Sequence, residues 1–196
     1  MGGNVNFKYV VATIIIPLVF ILDQISKRWA ISTLKGRSSV DVIKGFFDFR
    51  YVENPGAAWG IFGSVDDSIR KPFFVIVSII AILFIIYFFI KVRKEQRVLS
   101  VAISLILGGA FGNFYDRVLN SYVVDFIHWF YKDYHWPTFN VADSAITVGV
   151  ILMIIHMLFL EEKKTSSDQS EKVEEKEKTS DSDSASASTL DAGKGE

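Results

Sequence analysis

The sequence predicts an all-α integral membrane protein, four transmembrane helices carrying a small extracytoplasmic β element and a short interfacial loop or helix. Three observations lead there. Three stretches of 17 to 19 residues are free of charge and a fourth reaches helix length by admitting three charges, half of all residues are hydrophobic, and lysine and arginine are densest in the short connection between the second and third stretches. A bilayer core requires roughly 20 apolar residues per spanning helix.

The first span is placed at about 10–31. Val10 to Leu22 is uncharged for only 13 residues, and the run reaches helix length by continuing to Ile31 and admitting Asp23, Lys27 and Arg28. A cleaved signal peptide would also be short and preceded by Lys8, but no A-x-A-like site follows. Asp23 and Lys27 instead stand at the i, i+4 spacing of one helix face. The second span, 72–90, is 19 residues without a charge, and the third, 98–115, is 18. The fourth, 141–160, contains 17 uncharged residues from Ser144 to Leu160.

Residues 1–162 therefore read as one four-helix membrane domain. Beyond it, 163–196 read as a disordered acidic tail, too poor in apolar residues to fold. From Glu161 onward 11 acidic residues face six lysines, a balance of −5 that leaves +4 for the membrane part. The formal net charge is only −1, which argues against a nucleic-acid partner, and zero cysteines exclude disulfide and thiol chemistry in this chain.

Lys91, Arg93, Lys94 and Arg97 fill the short connection between spans two and three, and Lys163 and Lys164 follow span four. The positive-inside rule then puts both termini in the cytoplasm. Loops 32–71 and 116–138 face outward together. In the first, Phe47, Phe49 and Tyr51 alternate with Asp48 and Arg50, the period of an amphipathic strand whose aromatic face meets lipid. Asn54, Pro55 and Gly56 break it with turn chemistry, and small residues in 57–60 would let backbone approach closely. The second loop holds Tyr122, Phe126, Trp129, Phe130, Tyr131, Tyr134 and Trp136, the composition of an interfacial aromatic belt.

Two acids stand at the outer boundary. Asp125 follows span three and Asp143 opens span four, so antiparallel helices bring both to the same side. Two carboxyl groups in contact resist joint ionisation, so one keeps a proton as acid while the other acts as base toward water. A plainer reading remains open. Asn140 followed three residues later by Asp143 has the spacing of a helix-capping pair, and Asp125 has the position of an ordinary loop acid. Other constellations fit less well. His128, His135, His156 and Asp133 form no H-E-x-x-H pattern, and His156 lies deep in span four. Ser26 and Lys27 are helix neighbours that point apart, out of the hydrogen-bond reach a nucleophile and its base require.

Five blocks occur in order on the four-span frame. They are Asp23 to Lys27, Asn54 to Gly60, Gly108 to Arg117, Val123 to Ile127 and Phe139 to Ile146. In this combination the chain resembles bacterial lipoprotein signal peptidase, the type II signal peptidase, across essentially the whole membrane domain. The resemblance implies an aspartyl endopeptidase of the bacterial inner membrane, with its active site at the periplasmic face. It would remove the signal peptide from diacylglyceryl-modified prolipoproteins, on the N-terminal side of the lipidated cysteine. Asp125 and Asp143 match the catalytic dyad. Asn54, Gly56, Asn113, Arg117 and Asn140 match positions that bind substrate or support the dyad, and Asp23 and Lys27 match a supporting motif. No metal or other cofactor is implied; the partners are the lipidated precursor and membrane lipid, and the protein would act as a monomer. Gly108, Gly109 and Gly112 would let span three pack closely. Arg117 would either pair with Asp116 or donate to substrate carbonyls. The contending non-enzyme readings are a small transporter or proton relay using Asp23, Asp125 and Asp143, and a chaperone that binds lipidated helices.

Overall fold

Each long helix begins or ends where a specific polar group takes over the unpaired backbone groups. The computed structural model describes residues 6–56 and 66–160. Helix α1 runs Phe7–Leu34 behind an N-cap in which the Asn6 side chain accepts the Lys8 amide. Helix α2, Asp67–Lys91, starts the same way, the Asp66 carboxylate accepting the Ser68 amide at 2.8 Å. Its far end is closed from another helix, because Lys8 Nζ donates to the Ile90 and Val92 carbonyls at 3.1 and 3.0 Å. Helix α3, Arg97–Asn120, ends at Ser121 in the left-handed conformation, φ 69°. Helix α4 is Val141–Ile155. All four helices are long and apolar enough to cross a membrane, α4 together with the turn that follows it. Each of the four stretches read as a span is thus largely helical, the first three extended by a few residues and α4 ending at Ile155 before the turn.

The chain divides into two units, Met1–Met153 and Ile154–Glu196. In the second, residues 154–160 complete α4 and pass into a π-helical turn, His156–Leu160. The expected tail at 163–196, and the small residues at 57–60, lie outside the described residues.

Within the first unit α3 is the central helix. Ala12 of α1, Ile82 and Phe89 of α2, and Ile103 and Leu107 of α3 bury one another in a single apolar cluster. The outer face of α2 is bare by contrast, with Ile76, Ile80, Leu83 and Phe84 exposed. An apolar face of that extent is stable only against lipid or a partner. Contact of α3 with α4 and with α1 depends on absent side chains. A Cβ at Gly109 would collide with the Ala142 carbonyl, and one at Gly112 would sit 2.5 Å from an Asp23 carboxylate oxygen. The close packing expected of these glycines is therefore real.

Four strands form the β element, β1 Val40–Ile43, β2 Phe47–Asn54, β3 Val123–Tyr131 and β4 Tyr134–His135, antiparallel in that order. The β element is larger than the alternating segment suggests, because the aromatic-rich second loop itself folds into β3 and β4. Phe49 does not simply meet lipid: its ring packs edge-on against Trp29 of α1 at 5.2 Å and tilted against Phe126 of β3 at 6.2 Å. Ala30, Leu34, Val124 and Phe126 form a second buried cluster, with Phe49 packed against it, that fixes the sheet on the end of α1. Tyr131, Tyr134 and Trp136 remain exposed at and beside the hairpin tip.

Candidate active site

Asp125 lies on β3 opposite Val52, and Asp143 lies in the first turn of α4. The backbone brings the two elements together. The Phe139 carbonyl accepts the amides of Phe126 and Ile127 at 3.0 and 2.9 Å, so the segment leading into α4 runs as an extra edge along β3.

Asn140 stands at the junction. Its side-chain oxygen accepts the Asp143 amide at 2.9 Å, and the Asp143 carboxylate accepts the Asn140 amide at 3.2 Å. This is a reciprocal capping box. The capping reading of the sequence is correct, and it leaves the Asn140 amide group free to do more. Nδ2 donates to Asp125 Oδ1 at 2.7 Å, so this one residue reaches both carboxylates, Asp125 through its side chain and Asp143 through its backbone N–H.

The remaining carboxylate oxygens are also held by neutral donors. Asn113 Nδ2 donates to Asp143 Oδ1 at 2.7 Å, and Asn54 Nδ2 donates to Asp125 Oδ2 at 2.9 Å. Each of these amides is pre-aimed from its other end. Asn113 Oδ1 accepts from Lys27 Nζ at 3.0 Å, and Asn54 Oδ1 accepts the Gly56 amide at 2.9 Å. Gly56 adopts φ 95°, and a Cβ there would strike the Phe74 ring, so glycine is required for the turn that orients Asn54.

Behind this layer lies a second, fully buried polar cluster. Lys27, 2% exposed, bridges Asp23 at 2.8 Å and Asp116 at 2.9 Å. Asp23 Oδ1 accepts the Ala142 amide at the start of α4, and Asp116 Oδ2 accepts the Val124 amide next to Asp125. Gln24 Nε2 donates to Asp116 Oδ1 at 3.0 Å. One ion cluster thus ties α1, α3, β3 and α4 together directly beneath the two acids.

Burial drives the Asp125 carboxyl up to about 7, with the Asp143 charge adding to the rise and the Asn54 and Asn140 hydrogen bonds opposing it. Arg117 is close enough to feel the charges of both Asp143 and Asp125. Its Nη1 donates only a long bond, 3.4 Å, to Ser78 Oγ, and Nε has no partner among the described residues. Of the two sequence readings for Arg117, the pair with Asp116 is not formed, because Asp116 turns inward to Lys27.

Of the residues that the resemblance marks, Asp23, Lys27, Asn54, Gly56, Asn113, Asn140, Asp125 and Asp143 are joined in this hydrogen-bonded cluster, and Arg117 lies close to both acids without a bond to either. The gaps in the reading are Gln24, which stood inside a quoted block without a role, and Asp116, which was read only as a partner for Arg117 and instead joins Lys27. Asp116 is three residues after Asn113, hence on the same helix face, and that spacing was the available signal. His128 and His135, weighed as metal ligands, hydrogen-bond each other at 3.2 Å, and His128 also contacts Asp48 at 3.1 Å.

The sequence profile described as Signal peptidase (SPase) II matches residues 15–159, nearly the whole described chain. This chain belongs to the signal peptidase II family. A lipoprotein signal peptidase of Clostridium novyi is 42% identical over 146 residues, 74% of this chain and 95% of its relative. One from Anaeromyxobacter sp. is 52% identical over 109 residues, a match that spans only about half of each protein. Two solved structures, described as bacterial membrane enzymes determined by the in meso method, have the same fold. One superposes with a TM-score of 0.66 at 40% identity, over 80% of this chain and 95% of its own. The other gives 0.63 at 39%, over 84% and 92%. Cleavage of prolipoprotein signal peptides is the function of the signal peptidase II family, and transport is not favoured for this member.

Proposed function

We propose that this signal peptidase II is an aspartyl endopeptidase with Asp125 and Asp143 as its dyad. The observation that carries the reading is Asn140, which donates to both carboxylates, from its side chain to Asp125 and from its backbone N–H to Asp143, while burial raises the Asp125 carboxyl to about 7. In the proposed step Asp125 enters protonated and donates to the scissile amide, while Asp143 takes a proton from the attacking water. Asn54, Asn113 and Asn140 keep the carboxylates aimed, Gly56 fixes the Asn54 turn, and Asp23 with Lys27 supports the layer from below. Arg117, with donors to spare, receives a substrate carbonyl.

The substrate is a diacylglyceryl-modified prolipoprotein, cut on the N-terminal side of its lipidated cysteine. Its signal helix and acyl chains belong in lipid while the scissile bond must meet water. A site where sheet and helix ends meet gives each part its own solvent. By the distribution of lysine and arginine, residues 1–162 form the peptidase domain of an inner-membrane protein with both termini cytoplasmic and the sheet at the periplasmic face. Residues 163–196 follow as a cytoplasmic tail, and the enzyme works as a monomer without cofactor.

Purified protein incubated with a diacylglyceryl precursor will release the shortened lipoprotein, and chelators will not prevent it. Asp125→Asn and Asp143→Asn will insert normally and give no product. Near-normal cleavage by either variant overturns the dyad. Ion flux in empty liposomes without any peptide product would restore the proton-relay reading.

A further inference from the structure

The strand pairing of β2 with β3 contains an irregularity that decides which face Asn54 occupies. Phe49 pairs with Ile127 and Val52 pairs with Asp125, so β2 advances three residues where β3 advances two. The extra residue makes this a β-bulge at Arg50 and Tyr51. Side chains alternate faces along a strand, so an unbroken β2 would put Asn54 on the face opposite Phe49. The bulge reverses that parity. Asn54 thereby joins the face that carries Asp125 and reaches its Oδ2 at 2.9 Å.

A compact ionic group sits across the bulge. Arg50, inside it, donates twice to Asp48, Nε to Oδ1 at 2.9 Å and Nη2 to Oδ2 at 2.6 Å. Asp48 is 2% exposed and pairs across the strands with His128, whose Nδ1 lies 3.1 Å from Oδ1. The bulged strand is thus clamped to itself on one side and to β3 on the other. The dyad chemistry leaves this group without a role, and among the described residues Asp48, Arg50 and His128 make no hydrogen bond to Asp125.

We infer that the Arg50, Asp48 and His128 clamp is a positioning device that holds the bulge and so turns Asn54 onto Asp125. The inference rests on the dyad reading and deepens it. Loosening the clamp lets β2 regularise, and a one-residue change of register exchanges the two faces of the strand. Asn54 then leaves Asp125 without any residue of the dyad being altered.

The test compares Asp48→Asn, Asn54→Ala and the double variant on a diacylglyceryl precursor across pH, with Asp125→Asn as control. The groups facing Asp125 are Asp143 from α4, Lys27 from α1 and Arg117 from α3, and none is changed. Asp48→Asn will lower kcat about 10-fold with little change in KM, within the roughly 100-fold that a 1 Å misplacement of a reacting group costs. Its pH midpoint will move upward as in Asn54→Ala, because both lose the same hydrogen bond to the Asp125 carboxylate. The double variant will be no worse than Asn54→Ala alone. Should Asp48→Asn fail to insert, Arg50→Gln carries the same expectations. Unchanged kcat and pH midpoint, or losses that add in the double variant, overturn the clamp. If Asp125→Asn still cleaves, the dyad reading fails instead, and the two failures are distinct.

Discussion

Two pairs of acids lie within one small region and are treated in opposite ways. Asp23 and Asp116 share Lys27, at 2.8 and 2.9 Å, in a fully buried setting. Asp125 and Asp143 have no ion pair among the described residues; side-chain amides and a backbone N–H hold them. A buried acid matched by a cation has its charge settled and serves as a fastening. An acid held only by neutral donors keeps the freedom to exchange a proton, and burial then tunes it. The contrast separates structure from chemistry among residues of a single type.

That contrast can be broken from either side. Removing a carboxylate from the amide-held pair, by Asp125→Asn or Asp143→Asn, should lower cleavage by about 100- to 10,000-fold, the usual range for a positioned acid or base. The melting temperature in detergent should barely move. In the ion-paired cluster the order reverses: Lys27→Met strands two buried acids and should cost about 3–5 kcal/mol of stability. It would be read as a large loss of melting temperature or of insertion. A Lys27→Met protein as stable as its parent would dissolve the distinction.

A pH profile sharpens the comparison without any substitution. With its carboxyl raised to about 7, Asp125 holds its proton below that value and loses it above. Turnover that needs the protonated acid should therefore fall as pH rises through about 7, the midpoint belonging to the coupled pair. A rate flat from pH 6 to 8.5 would remove Asp125 as the acid. The smallest effect is expected at the exposed pair of Lys35 and Glu53, 3.0 Å apart. Solvent screens such pairs, so Lys35→Ala should leave both melting and turnover where they were.

How much of this was legible in advance differs by element. Asp23 with Lys27 could be read as a pair because helical spacing alone brings them together. Asn140 with Asp143 could be read as a cap for the same reason. The link from Asn140 to Asp125 could not, since it depends on the Phe139 segment lying along β3. Nor could the bulge in β2: period-two alternation put Arg50 among the polar residues of a regular strand, and nothing local marks an extra residue. The aromatic loop hid β3 and β4 because tyrosine and tryptophan suit both a strand and a membrane interface.

Run length and charge placement, acting within 20 or so neighbouring residues, determined the four helices, their order and the candidate acids. They suffice because lipid imposes its constraint on each span separately. Which acids are neutralised, which are left to amides, and which way Asn54 faces were decided only by tertiary structure. Those outcomes depend on hydrogen bonds between residues 15 to 119 positions apart, from Asn140 to Asp125 up to Ala142 to Asp23, and a bond of that reach leaves no periodicity in the chain.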